Sequence, residues 1–169
     1  YRRQRQMCIR DSYMQEHVEG FEGRIKIEEF KGGQSNPTYK VITPNQSYVL
    51  RRKPPGKLLK SAHAVDREYR VITALNQTDV PVPKSYALCE DDDVIGTAFY
   101  LMEFKDGRVL WDPAMEKSNK DEAEGVYESM NDSMAKLHLV NPDDIGLSSF
   151  GKPGNYVGRQ VSRWSKQYI

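Results

Sequence analysis

The stretch RIKIEEFKGGQSNPTYKVI, residues 24–42, places two strand-like segments on either side of a glycine-containing loop. Residues 24–30 alternate between polar and apolar side chains, which is the pattern of a half-buried strand. A two-residue turn would be enough to close a hairpin, but this loop is longer and adds the hydroxyls of Ser35 and Thr38 to two adjacent glycines. Bare N–H groups and hydroxyls of this kind can bind phosphate. Ordinary turns have the same composition and are commoner, so the loop alone leaves both interpretations open.

The composition of the whole chain limits what the protein can be. It has 169 residues, of which 38% are hydrophobic and 29% charged, so it reads as a globular chain with room for a core. A net charge of +1 argues against a large nucleic-acid or anionic-membrane surface. No apolar run reaches the roughly 20 residues of a membrane span. The separated Cys8 and Cys89 suggest a reducing compartment, so we expect a cytoplasmic protein without nucleic-acid or membrane partners.

The first twelve residues, YRRQRQMCIRDS, differ in character from the rest. They contain four arginines and one acidic residue, and they lack the apolar core of a secretion signal. We interpret residues 1–12 as a non-native tail and exclude them from the fold argument.

The next ninety residues predict strands with one inserted helix. Strands are expected in RIKIEEF, YKVI, YVLRR, YALCE and GTAFYLMEF, because each combines alternating or apolar residues with flanking turn signals. SAHAVDREYRVITAL, residues 61–75, is the clearest helix, with Ser61 as a plausible cap and Val65, Tyr69 and Ile72 at helical spacing. DDDVIG is expected to be a charged turn between the last two strands. The order β-β-β-α-β-β differs from a Rossmann unit, which alternates strands and helices.

The remainder of the chain reads as helical. Residues 121–140 carry Val126, Met130, Met134 and Leu137 on one stripe, which favours a role as core side chains. Residues 156–169 place Val157, Val161, Trp164 and Tyr168 at the same spacing. This second pattern runs to the last residue without a cap, so we expect the chain to be a fragment of a longer protein.

The order of these elements is that of a kinase small lobe. Phosphoryl transfer needs a backbone cradle over the phosphates, a cation on them and a carboxylate that holds the cation. The cation candidates are Arg51, Arg52 and Lys53 at the end of the third strand. Glu68 on the helix is the first candidate for the carboxylate, and Asp66 is the second.

Six motifs in the correct order resemble the aminoglycoside phosphotransferase-like kinases: GGQSNPTY, YVLRR, VDREYRVITAL, VPVPK, FYLMEF and AKLH. The resemblance runs from about Tyr13 to the end of the chain. The segments RRKPPG, SAHAVDREYRV, FGKPGNY and RQVSRW are most similar to the kinase-like domain that some proteins fuse to an acyl-CoA dehydrogenase.

The resemblance implies an α+β fold: a protein-kinase-like small lobe with about five antiparallel strands and one helix, over residues 13–104, followed by a hinge and the start of a helical substrate lobe over 105–169. It implies ATP as the cofactor and a small-molecule substrate as the partner. It also implies a nucleotide-binding set in the loop, the third strand, the helix and the hinge: Gly32, Gly33, Gln34, Ser35, Asn36, Thr38, Arg51, Glu68, Met102, Glu103, Phe104 and Lys105. Arg51 stands where the family has a strand lysine, and Glu68 would be its ion-pair partner. This exchange is not neutral, since a guanidinium is a planar fork and an ammonium is a point charge.

The sequence departs from the family in one large respect. The catalytic loop, His-Gly-Asp followed by Asn, and the downstream metal-binding Asp are absent from these residues. We therefore assign no catalytic residue and no metal ligand to this chain, and expect Mg²⁺ to be bound by residues outside it. The acidic run CEDDDV and the three histidines lack the arrangement of a metal site. The function implied is the ATP-binding part of a kinase that transfers the γ-phosphate to a metabolite hydroxyl, with a hydroxyacyl thioester as one possible acceptor. The alternatives are a non-catalytic docking module or a plain α+β domain.

Overall fold

The fold is built on one five-stranded antiparallel sheet. A computed structural model describes residues 12–23, 25–30, 35–56, 63–116, 118–152 and 154–168. The strand order across the sheet is β1-β2-β3-β5-β4. The strands are β1 (Lys26–Glu29), β2 (Thr38–Ile42), β3 (Ser47–Arg52), β4 (Ser85–Cys89) and β5 (Phe99–Glu103). The helices are α1 (12–17), α2 (Val65–Leu75), α3 (Asp92–Ile95), α4 (Lys120–Leu139) and α5 (Tyr156–Ser165). The predicted strands and the helix inserted after the third strand are confirmed.

Alternation along β5 shows that the sheet has two apolar faces. Phe99 and Leu101 of β5 belong to one core cluster, while Tyr100 belongs to the other, because successive side chains on a strand point to opposite faces. Met14 and Val18 from the N-terminal segment cover the first face and are buried there. The second face is covered by α2.

Helix α2 packs on the sheet through the apolar stripe that the sequence predicts. Val65 is fully buried, and Tyr69 and Ile72 pack beside it against Tyr100. The helix begins at Val65, and its N-cap Ala64 makes no side-chain capping bond. The expected cap, Ser61, lies outside the described residues.

The connection between β4 and β5 is a short helix, where the sequence predicted a charged turn. Asp91 caps α3 by accepting a hydrogen bond from the Asp93 N–H at 2.8 Å, and Gly96 ends it at φ 87°. Val94 is buried, so burial of one apolar side chain and an aspartate cap favour a helical turn within the acidic run.

Helices α4 and α5 form where they were predicted, but their apolar stripes are not core. Met130 is 59% exposed, Met134 55% and Trp164 56%. The expectation that the two methionines fill a core is therefore wrong for the described residues. A helical period shows which side chains share a face, and it does not show what covers that face.

Across the described ranges, no helix combines the length and apolar character needed to cross a membrane.

Candidate functional site

Strand register brings three polar side chains into one row on the face that α2 covers. Thr38 of β2 is the cross-strand partner of Arg51 in β3, and Arg51 is the partner of Tyr100 in β5. Directly paired residues in a sheet have side chains on the same face within about 5 Å of each other. The row therefore lies beneath the first turns of α2, from which Glu68 points back to it.

Glu68 and Arg51 form the ion pair that the sequence predicted. Arg51 Nε donates to Glu68 Oε2 at 2.7 Å, and Arg51 Nη2 lies 3.5 Å from Oε1. The side chains are 31% and 35% exposed, so the pair is partly shielded from water. Charge-assisted hydrogen bonds of this length are the stronger class. The pair links the central strand to the helix and leaves part of the guanidinium open to an anion.

Two further side chains donate to the same carboxylate. Tyr100 Oη donates to Glu68 Oε2 at 3.1 Å, and Asn36 Nδ2 donates to Oε1 at 3.1 Å. Burial of the phenol, followed by the nearby Glu68 charge, raises the pKa of Tyr100 well above its ordinary value. Tyr100 therefore stays protonated at neutral pH and remains a donor.

Asn36 ties the glycine-containing loop to this network. Its side chain is almost completely buried, and its Oδ1 lies 2.9 Å from His63 Nδ1. His63 has φ 58°, a conformation uncommon outside glycine. The Thr38 hydroxyl donates to the Asn36 carbonyl at 3.0 Å and accepts from Arg51 Nη1 at 3.3 Å. We call these residues together the Glu68 cluster: Asn36, Thr38, Arg51, His63, Glu68 and Tyr100.

The alternative cation and carboxylate candidates form a weaker link. Lys53 Nζ lies 3.6 Å from Asp66 Oδ1, and Arg52 Nε donates to the Lys53 carbonyl at 3.4 Å. Of the candidate pairs, Arg51 with Glu68 has the shorter contact and the additional donors.

The predicted hinge, residues 102–105, comprises the last two residues of β5 and the two residues after it. Glu103 Oε1 pairs with Lys105 at 2.7 Å, and Oε2 accepts from the Lys84 N–H at 3.2 Å. These bonds hold the pKa of Glu103 below its usual value. Phe104 stacks on Phe30 with 6.4 Å between ring centroids.

The remaining predicted site residues are placed as follows. The Met102 side chain packs against the core cluster on the α2 side of the sheet. Ser35, at the end of the loop, is exposed. Gly32, Gly33 and Gln34 lie outside the described residues. Nucleotide binding by any of these side chains stays a prediction. The part of the chain that the structure describes has no group of three or more His, Cys, Asp or Glu side chains arranged to bind a metal.

Sequence reasoning missed two members of the Glu68 cluster, Tyr100 and His63. The alternation in FYLMEF puts Tyr100 and Met102 on one face, which was a usable signal. Only the register of β3 and β5 shows that this face meets Arg51. Nothing in the local sequence around His63 indicates its contact with Asn36.

Comparison with known proteins gives a consistent result. The family model for the "Phosphotransferase enzyme family" matches residues 26–169. A solved structure from Ralstonia eutropha JMP134, of a protein assigned as an aminoglycoside phosphotransferase, is 52% identical with a TM-score of 0.80, over 95% of this chain and 46% of that one.

Curated relatives carry acyl-CoA dehydrogenase names. "Probable acyl-CoA dehydrogenase IBR3" of Arabidopsis thaliana is 47% identical over 162 residues, which is 91% of this chain and 20% of the relative. Human "Acyl-CoA dehydrogenase family member 11" is 40% identical over 94% of this chain and 21% of the relative. The chain thus spans about a fifth of the length of these curated relatives. The predicted family resemblance and the predicted kinase-like α+β fold are confirmed.

Proposed function

The chain belongs to the phosphotransferase enzyme family, and from this premise we propose that it is the ATP-binding part of a small-molecule kinase. We propose that residues 13–104 form the nucleotide-binding lobe and that 105–169 form the hinge and the start of the substrate lobe. The observation that carries the proposal is the 2.7 Å ion pair between Arg51 on the central strand and Glu68 on α2. Phosphoryl transfer in kinase folds depends on such a strand–helix pair, because it positions a cation on the nucleotide phosphates.

The proposed chemistry assigns a positioning role to each part of the site. Arg51 binds the α- and β-phosphates of ATP, and Glu68 holds the guanidinium in place. Backbone N–H groups of the loop from Gly32 to Asn36 bind phosphate oxygens, and Thr38 supports Arg51. The hinge residues 102–105 offer backbone groups to the adenine.

In the transfer step, the acceptor hydroxyl oxygen bonds to the γ-phosphorus, the bond to the β-phosphate oxygen breaks, and ADP leaves. The hydroxyl proton passes to a base. That base and the Mg²⁺ ligands correspond to the His-Gly-Asp loop and the later Asp of the family, which these residues do not contain. The metal, when bound, neutralises charge on the transferring phosphoryl group.

The acceptor class is supported by the relatives' names. Because several of them are called acyl-CoA dehydrogenases, we propose a hydroxylated acyl thioester as the acceptor.

The test is ATP-dependent phosphoryl transfer by the full-length protein and its variants. We expect Arg51→Ala and Glu68→Ala each to lower kcat/KM on the order of a hundredfold, as removal of a preorganised charge contact does. Lys53→Ala is the matched control, because it removes a cation near the same end of β3. The ion pair that it breaks, between Lys53 and Asp66, is longer and more exposed than the pair between Arg51 and Glu68. We expect it to change the rate less than about threefold, as exposed pairs contribute little.

Thermal unfolding of the same variants separates function from folding. A rate loss that only parallels a loss of melting temperature would overturn the kinase assignment of the pair. ATP binding without transfer to any hydroxyl, in the intact protein, would instead favour a non-catalytic nucleotide-binding module.

A further inference from the structure

A segment between α4 and α5 packs on the outer side of α2. Arg67 Nη2 donates to the Phe150 carbonyl at 3.2 Å, and its guanidinium lies 4.1 Å from the centroid of the Phe150 ring. Arg70 Nη2 donates to Ser149 Oγ at 3.0 Å and to the Gly146 carbonyl at 3.3 Å. Two adjacent turns of α2 therefore contact a segment about eighty positions later in the chain. We call residues 141–150 the docking segment.

The docking segment has its own internal order. The Leu147 N–H donates to the Pro142 carbonyl at 2.8 Å, and the Phe150 N–H donates to the Leu147 carbonyl at 2.9 Å. Leu147 is only 8% exposed. Consecutive turns anchored by a buried leucine can present the Phe150 ring in a defined position.

The contact falls on the end of α2 that carries the ion pair. Arg67 immediately precedes Glu68, and this end of the helix begins at Val65, whose N-cap Ala64 makes no side-chain capping bond. The N–H groups of Val65 and Arg67 donate to the His63 and Ala64 carbonyls, so backbone bonds without a side-chain cap hold this end, and such ends are the less stable part of a helix. Phe150 and Glu68 also line one cavity, together with Ala64, Arg67, Val71 and Ile72.

Helix α2 is thus held from two sides. Val65 and Tyr69 bind it to the sheet on one side, and the docking segment contacts Arg67 and Arg70 on the other. A cation over an aromatic ring is attracted by the ring quadrupole. Removing the Phe150 ring therefore weakens the contact that holds the outer side of the helix.

We propose that Phe150 is a positioning residue: by stacking on Arg67 it holds the first turns of α2 against the sheet, so that Glu68 meets Arg51. Phe150 then acts on phosphoryl transfer through the ion pair and without contact with the nucleotide. The proposal rests on the proposed function, because the ion pair matters for catalysis only if the protein transfers phosphate.

The first measurement is amide hydrogen exchange in the full-length protein, which requires no activity. We expect Phe150→Ala to speed exchange of the α2 amides at least tenfold and to leave those of β3 and β5 unchanged. Phe150→Tyr, which keeps the aromatic face, should restore wild-type exchange, and Phe150→Leu, which keeps bulk without the face, should not. Unchanged α2 exchange in Phe150→Ala would overturn the proposal.

The second measurement is a double-mutant cycle on ATP hydrolysis, with water as the acceptor. Phe150→Ala should lower kcat about tenfold in the otherwise wild-type protein and have no further effect in an Arg51→Ala background, since both changes remove the same interaction. Independent, multiplicative losses would show that Phe150 acts by another route and would overturn the proposal.

A second variant and one activity outcome keep this inference distinct from the proposed function. If Phe150→Ala does not fold, Arg67→Lys provides the same test, because it keeps the charge and loses the planar fork that stacks and donates. If the wild-type protein neither binds nor hydrolyses ATP, the proposed function fails. Hydrogen exchange then tests only whether Phe150 positions α2. Faster α2 exchange in Phe150→Ala would support that role, and unchanged exchange would overturn it.

Discussion

Glu68 accepts hydrogen bonds from side chains on a strand, a neighbouring strand and a loop: Arg51, Tyr100 and Asn36. A carboxylate taken partly out of water is costly unless its lone pairs are satisfied. The three donors satisfy most of the lone pairs of Glu68, and each donor restricts the rotamer of Glu68. Within the Glu68 cluster, the carboxylate position is therefore determined by several elements together, and the proposed role of the ion pair requires such a fixed position.

Tyr100 gives a first prediction at the residue scale. Tyr100→Phe removes one donor and should lower the free energy of unfolding by about 1 kcal/mol at pH 7. The phenol pKa is raised in the folded protein from its ordinary 10.0, so the unfolded chain loses this proton first as pH rises. Wild-type stability should therefore fall above pH 10.

The variant Tyr100→Phe should lose less stability above pH 10 than the wild type, because it lacks the phenol whose pKa is raised by folding. Urea unfolding at pH 7, 9 and 10.5 measures both effects. Equal slopes with pH for the two proteins would contradict the role given to Tyr100.

Asn36 gives a second prediction. Asn36→Asp places a second carboxylate near Glu68 and removes the Nδ2 donor, and it should destabilise the protein by about 2–3 kcal/mol at pH 7. Neighbouring carboxylates raise the pKa of one of the pair above its unfolded value. The penalty is therefore fully present above the raised folded pKa, is relieved as pH falls from that value towards the unfolded one, and is absent below the unfolded value.

The stability difference from wild type should accordingly shrink between pH 7 and pH 4 in urea unfolding. Asn119→Asp is the matched control. Asn119 caps α4 by accepting from the Glu122 N–H, and aspartate caps a helix about as well as asparagine. A similar loss in both variants would show that the effect is not specific to the Glu68 cluster.

At the scale of elements, the β4–β5 connection shows how local chemistry can override a composition-based expectation. Four acidic residues suggested a solvated turn, yet Asp91 caps α3 and Val94 is buried. The helix ends at Gly96, whose φ of 87° suits glycine and disfavours any residue with a Cβ.

Gly96→Ala should therefore cost about 1–2 kcal/mol in unfolding free energy, the penalty of a left-handed conformation. Gly107→Ala is the control, because Gly107 has open space for a Cβ and no positive φ. It should be neutral or slightly stabilising through reduced unfolded-state entropy. Thermal unfolding of the two variants side by side measures the difference, and equal melting temperatures would contradict the prediction.

At the scale of the whole molecule, the sheet with α2 and helix α5 differ in how far their apolar side chains are buried. The strands and α2 bury their apolar faces, whereas α5 exposes Val157, Val161 and Trp164 by 72%, 60% and 56%. These three positions share one helix face. Exposed apolar patches of this kind promote association with other apolar surfaces.

The 169-residue chain on its own should therefore bind a hydrophobic dye and associate as its concentration rises. Replacing Val161 and Trp164 with serine should reduce both dye fluorescence and the concentration dependence of elution volume. Replacing Ser162 of the same helix and its C-cap Lys166 with alanine serves as the control and should reduce neither. Equal behaviour of the two double variants would contradict the assignment of this face.

Prediction from the sequence succeeded where a signal is local. The period of the strands, the 65–69–72 stripe of α2 and the helical spacing of α4 and α5 are short-range patterns, and each corresponds to an observed element. The family motifs pointed to Arg51 and Glu68 as partners, and the two side chains meet. The helical turn in the acidic run was missed because a buried Val94 among aspartates leaves only a weak signal.

Sequence alone thus determined the five strands, helices α2, α4 and α5, the family and the identity of the ion pair, because these depend on periodicity and motif spacing along the chain. Only the tertiary structure decided that Tyr100 and Asn36 complete the environment of Glu68 and that Phe150 stacks on Arg67. Those contacts join residues 32 to 83 positions apart. Strand register and the docking of a distant segment bring them together, and neither leaves a pattern in the local sequence.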